Sequence, residues 1–191
     1  MPNLFKEKAR VLGISESFSV DAGISYMAGA VMRKDLVLDD VFIKITTLGG
    51  SDATSRIIEG FSELKRNDIS SIMLDGCILS MYNIVDYNMI YRKLGVPVLC
   101  ISFKKGKDLS SSFETRGQLD KLRAYLSLGE QKRVEVSGYE YWIRYAGLEE
   151  FEAKHLIKSF TVSGRVPEPI RAAKLVARAV MKFELHEPGK V

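Results

Sequence analysis

Residues 71 to 103, SIMLDGCILSMYNIVDYNMIYRKLGVPVLCISF, constrain the chain more than any other stretch. Two apolar runs bracket it: Ile72-Met73-Leu74 ends in Asp75-Gly76, and Val98-Leu99-Cys100-Ile101 is introduced by Gly95 and Pro97. Short apolar runs bounded by turn residues read as buried strands, and between them Ile84, Tyr87, Tyr91 and Leu94 recur at helical spacing. Parallel neighbouring strands require a crossover of about this length, so the segment predicts a strand-helix-strand unit. A carboxylate closing a buried parallel strand lies at the carboxyl edge of the sheet, where open α/β folds build their sites. Asp75 is therefore the leading candidate for a functional residue.

The flanking segments give this unit a context. Upstream, Val11 to Ile14 reads as a buried strand running into Ser15-Glu16-Ser17, Ala22-Gly23 as a turn, and Ile24 to Arg33 with Leu36 to Thr47 as two strands joined near Lys34-Asp35. A helix starts at Ser51 or Asp52, whose short oxygen-bearing side chains suit a first turn. Downstream, Leu109 to Leu128 reads as one helix with Leu119, Leu122 and Leu126 on its buried side. Arg133 to Tyr145 reads as a small additional hairpin turning at Ser137-Gly138, and its alternating tyrosines suit cross-strand pairing. Leu148 to Phe160 and the segment after Pro167 read as helices, the second tolerating proline in its first turn.

Three antiparallel strands, a helix, a parallel strand, a helix and another parallel strand follow the order of the ribonuclease H-like fold, an α/β mixed sheet flanked by helices. In that order the first and fourth strands are neighbours, which brings the region of Ser15 to Asp75, with Asp52 a further candidate nearby. Grouped carboxylates of this kind hold divalent cations that activate water for phosphodiester hydrolysis. The acidic candidates are Glu16, Asp52, Asp75, Asp86 and Glu168, with Glu16 and Asp75 as the metal ligands. Turn formation and helix capping account equally for an Asp before glycine and for Asp52.

A length of 191 residues suits a single domain over 1–191. The apolar runs are far shorter than the roughly 20 residues of a membrane span, and MPNLFKEKAR lacks the apolar core of a leader, so a cytoplasmic location is expected. Cys77 and Cys100 lack CxxC spacing and read as buried reduced thiols. The net charge of +4 permits a polyanionic partner. Two basic clusters stand out as candidate phosphate contacts: Lys104, Lys105 and Lys107, and the helical series Arg171, Lys174, Arg178 and Lys182. No GxGxxG or GxxxxGK[ST] loop is present to cradle a nucleotide phosphate.

The blocks VLGISESFS at 11 to 19, GGSDAT at 49 to 54, IMLDGCILSMYNIVD at 72 to 86 and GRVPEPIRAAKLVARA at 164 to 179 resemble archaeal domain-of-unknown-function family 99, the endonuclease dU family, related to endonuclease V. The resemblance implies a ribonuclease H-like fold and an ancestral Mg²⁺-dependent nuclease, with DNA or RNA as partner. It also implies roles for Asp75, Asp52, Asn83, Asp86, Pro167 and Glu168, which match recurring family positions. Two positions depart from the pattern: Ser15 stands where many relatives carry the first metal-binding aspartate, and Lys174 stands where many have histidine. Glu16 keeps an acid next to Ser15, but adjacent strand residues point to opposite faces, so it substitutes for the lost ligand only if the strand twists or bulges there. Two readings follow: an endonuclease with a degenerate first ligand position, and a noncatalytic nucleic-acid- or protein-binding relative.

Overall fold

The computed structural model describes residues 9–186. The reading against a leader falls mostly on positions outside that range.

Three long antiparallel strands open the fold: β1 (Arg10–Ser19), β2 (Ile24–Arg33) and β3 (Leu38–Thr47). Helix α1 (Ala53–Glu63) returns the chain to β4 (Ile69–Leu74), which pairs in parallel with β1. A miniature hairpin, β5 (Ile78–Leu79) and β6 (Asn83–Ile84), precedes α2 (Tyr87–Leu94) and the next parallel strand, β7 (Val98–Ser102). Then come α3 (Ser110–Thr115), α4 (Leu119–Ser127), β8 (Lys132–Val136), β9 (Tyr139–Ala146), α5 (Glu150–Ser159) and α6 (Glu168–His186). The main sheet runs β3-β2-β1-β4-β7-β9-β8. The fold is the expected ribonuclease H-like mixed sheet, and the additional hairpin β8-β9 joins its edge through β7.

Two apolar layers explain why the central strands carry so little polarity. On one face Leu12, Ile14, Ile72, Leu74 and Cys100 pack with Ile57 of α1 and Ile90 of α2. On the other, Val11, Met73, Leu99 and Ile101 pack with Leu156 of α5 and Ile170 of α6. Strand β4 is therefore buried at every position, as expected of a parallel strand covered on both sides. Helix α6 lies close to β1 because small residues meet there: Ala173 and Ala177 are buried, and a Cβ on Gly13 would stand 2.1 Å from the carbonyl carbon of Pro169.

Several local expectations change. Ile84 belongs to β6 instead of the crossover helix, which is shortened to Tyr87–Leu94 because Asp86 caps it through a 2.8 Å bond from the Met89 N–H. The single helix expected over 109 to 128 is two, separated at Gly117, whose φ of 65° no continuous helix adopts. Leu119 and Leu126 are exposed, so only Leu122 of the three packs inward. Cys77 and Cys100 are joined as a disulfide, with Cα atoms 5.9 Å apart, where reduced thiols were expected. Spacing along the chain could not reveal this pairing, because it depends on the turn after Asp75 folding back beside β7. Among the described residues no helix is long and apolar enough to cross a membrane.

Candidate functional site

The register of β1 on β4 places Ile14 beside Leu74, so the next residue of each strand, Ser15 and Asp75, meet at the carboxyl edge. The Asp75 N–H donates to the Ile14 carbonyl at 3.0 Å, and the Ser15 hydroxyl donates to Asp75 Oδ2 at 2.7 Å. Ser15 is fully buried, so its hydroxyl hydrogen is committed to this bond. From α6, the Lys174 ammonium stands 3.8 Å from the same carboxylate oxygen.

Glu16 is elsewhere. The β1-β2 ladder runs without interruption through Ser15-Ala28 and Glu16-Met27, so no bulge rotates Glu16 towards Asp75. Its carboxylate is buried on the α1 face, accepting a 2.7 Å bond from the Ser25 hydroxyl and further bonds from the N–H and hydroxyl of Ser80. Ser80 begins three successive left-handed residues, with φ of 40°, 53° and 79° at Ser80, Met81 and Tyr82. Glu16 thus anchors a turn that non-glycine residues adopt only under constraint.

Asp52 belongs to a third arrangement. Although it occupies the N-cap position of α1, its side chain makes no cap bond. It accepts instead from the Thr47 N–H and hydroxyl and, at 2.7 Å, from Asn83 Nδ2. The Asn83 side-chain oxygen Oδ1 takes over the capping, accepting from the Ala53 N–H at 3.0 Å. Partial burial pushes the Asp52 carboxyl up, but the bonds from Asn83 and Thr47 outweigh it and hold the group below the ordinary carboxylate range. A proton therefore binds the unfolded chain here more readily than the folded one, and the stabilisation is complete above about pH 4 and lost as pH falls through the lower folded value. Asp52→Ala should cost about 1 kcal/mol near neutrality. Urea titrations should show the gap to wild type narrowing below about pH 4.

Asp86 caps α2 and pairs with Arg92 at 3.9 Å, while Glu168, in the first turn of α6, pairs with Arg171 at 3.2 Å. The acidic candidates accordingly do not converge: of them, only Asp75 sits at the Ser15 corner. A centre for hard divalent cations draws oxygen ligands from several groups. Here one carboxylate is engaged by a donating hydroxyl and a neighbouring ammonium, and among the described residues no group of three or more His, Cys, Asp or Glu is placed to hold a metal ion. These residues do not fit the Mg²⁺ centre that the family resemblance implies.

Positive charge, in contrast, does converge on Asp75. A cavity of 450 Å³ on one side of it is lined by Lys104, Lys105, Lys107, Arg144 and Arg165. A second, of 340 Å³, lies on its other side under Arg171, Lys174 and Arg178. Arg144 and Arg165 were not among the sequence candidates, since each is a lone cation in its segment. Arg144 enters because β9 pairs it with Cys100, and Arg165 because its guanidinium stacks 5.2 Å from the Phe103 ring centre. Burial pushes the Arg144 guanidinium down from its usual value. Arg171 is tied to the carbonyls of Ser163 and Val166, and Lys105 rests 5.5 Å from the Trp142 ring centre. Lys182 lies about 12 Å beyond Lys174 along the helix at 1.5 Å per residue.

The chain resembles proteins that share this arrangement of strands and helices. It is 33% identical over 185 residues to a UPF0215 protein of Pyrobaculum calidifontis, covering 90% of this chain and 97% of that one. The crystal structure of a protein of unknown function from Archaeoglobus fulgidus superposes with a TM-score of 0.78 at 28% identity, covering 91% of this chain and 98% of the other. Human endonuclease V shares the fold, with a TM-score of 0.65 at 15% identity and coverage of 95% and 88%. Endonuclease V of Ciona intestinalis, solved with an inosine-containing DNA, gives 0.62 at 15% identity and coverage of 93% and 87%. The family model described as endonuclease dU matches residues 7–181, and the chain belongs to that family.

Proposed function

We infer that the protein binds nucleic acid along the edge that contains Asp75 and cuts it weakly or not at all with Mg²⁺. The observation that carries this reading is the flanking of one strand-end carboxylate by two basic cavities, joined to a donor set that suits anions better than divalent cations. Lysines and arginines supply phosphate contacts that hold a backbone without reading its sequence. Membership of the endonuclease dU family supports a polynucleotide as the polyanion.

Phosphate contacts release counterions, so affinity should fall steeply with salt. About four contacts on duplex DNA give a slope of roughly −3.6 for log affinity against log salt. Replacing Lys104 and Arg178 by Gln, one from each cavity, should make the slope shallower by about 2. Fluorescence anisotropy over a salt series measures both. A flat salt response, or no binding to any DNA or RNA, refutes the reading.

A further inference from the structure

We propose that Lys174 serves as a built-in cation at Asp75, so that the site takes a phosphodiester oxyanion directly, without a bridging divalent ion. This rests on the nucleic-acid reading above and specifies how its central contact is made. The geometry has three parts. Asp75 brings one negative charge to the edge, and Lys174 on α6 answers it from 3.8 Å. Ser15, neutral and fully buried, adds a hydroxyl whose hydrogen points at the same oxygen at 2.7 Å. Ser15 spends its hydrogen on Oδ2 and Lys174 stands beside it as a cation, so neither neighbour adds the further anionic oxygens that a hard divalent ion collects.

The ammonium has three donors, and at 3.8 Å it stands beyond hydrogen-bond distance of Asp75, which leaves it able to reach a second anion. Lys174 lines the open cavity it shares with Arg171 and Arg178, so a phosphate entering there would meet it beside Asp75. The carboxylate then has a positioning role: it holds the flexible lysine stem over the strand end. In a metal-dependent nuclease a divalent ion bridges carboxylate and phosphate; here the lysine spans the same two charges.

The test compares oligonucleotide affinity in EDTA and in MgCl2 at matched ionic strength. Wild type should bind no more tightly with Mg²⁺. Lys174→Gln should bind about tenfold more weakly in EDTA and lose about one unit of salt slope. Because removing the ammonium frees Asp75 to share Mg²⁺ with a phosphate, added Mg²⁺ should restore most of that loss. The restoration should vanish when Asp75→Asn is added to Lys174→Gln. Tenfold tightening of wild type by Mg²⁺ would overturn the proposal, as would a Lys174→Gln protein equal to wild type in EDTA. A weakened variant that Mg²⁺ does not restore makes Lys174 an ordinary surface contact and also overturns it.

Mn²⁺ titration followed by electron paramagnetic resonance, without nucleic acid, provides the independent arm. Wild type should show no stoichiometric site, and Ser15→Asp combined with Lys174→Gln should gain one. Stoichiometric Mn²⁺ binding by wild type that Asp75→Asn removes overturns the proposal whatever the oligonucleotide results. Failure of every oligonucleotide to bind in every buffer refutes the nucleic-acid reading, and with it the phosphate contact. The Mn²⁺ arm then still decides whether Lys174 excludes the divalent ion.

Discussion

Gly13→Val should cost about 3 kcal/mol or more, because the added carbons enter space already filled by backbone. The Cβ alone would lie 2.1 Å from the carbonyl carbon of Pro169, 2.3 Å from its oxygen and 2.6 Å from the Ile170 nitrogen. A flexible side chain could swing away from such a clash, but the first turn of a long helix packed on β1 and β2 cannot do so cheaply. The helix would have to lift from the sheet, exposing the buried contacts of Ile170, Ala173 and Ala177. For a chain of this size the melting temperature should fall by about 6 to 12 °C. Calorimetry showing a midpoint within 2 °C of wild type would mean that α6 does not sit on β1 as described. Since α6 also delivers Lys174 to Asp75, that result would remove the site as well.

The second large effect falls on the acid that was expected to bind metal. Glu16→Ala should destabilise the protein by about 3 kcal/mol, because it strands buried donors that lose their only charged acceptor. The Ser80 N–H, the Ser80 hydroxyl and the Ser25 hydroxyl all converge on the Glu16 carboxylate. Glu16→Gln keeps the shape but offers one acceptor oxygen and brings donors of its own, so it should recover only part of the loss. Denaturant unfolding measures both. Hydrogen exchange should show the Ser80–Tyr82 turn opening first, since its left-handed backbone is held by these bonds. Nucleic-acid affinity, measured below the melting transition, should be unaffected by Glu16→Gln, as Glu16 lies on the α1 face and Asp75 on the α6 face. Wild-type stability for Glu16→Ala, accompanied by loss of binding, would reverse the assignment and return Glu16 to the functional site.

The sheet was legible where pattern and topology reinforce each other. The apolar runs at 72–74 and 98–101 identified two buried parallel strands, and strand order alone brought Ser15 beside Asp75, the contact made at 2.7 Å. Glu16, expected as a metal ligand beside Asp75, faces away because β1 runs on without a bulge, and its carboxylate reaches Ser25 and Ser80. Features created by chain reversal were harder to read. The β5-β6 hairpin has two residues per strand, too few for periodicity to register, so Ile84 merged with the following helix. The segment 109 to 128 carries helical spacing on both sides of Gly117, and only the left-handed glycine breaks it. Asp52 illustrates a different limit: a short oxygen-bearing residue before a helix signals a cap, but Asn83, some 30 residues away, makes the bond instead. Arg144 and Arg165 became visible as part of the basic edge only when strand pairing and ring stacking were known.

A protein that holds nucleic acid at the Asp75 edge and barely cuts it shows both properties in one experiment. The most direct measurement is a single set of gel reactions that reports bound and cleaved strands together, on uracil-containing, hypoxanthine-containing and undamaged DNA and RNA with Mg²⁺. Wild type should shift the strands while leaving them almost intact, and Ser15→Asp combined with Lys174→Gln, which returns a carboxylate beside Asp75 and removes the competing ammonium, should be the change that raises cleavage. Robust cutting by wild type that Asp75→Asn abolishes would contradict the account and establish a metal-dependent nuclease at this site. Robust cutting that survives Asp75→Asn would place the chemistry away from this edge altogether.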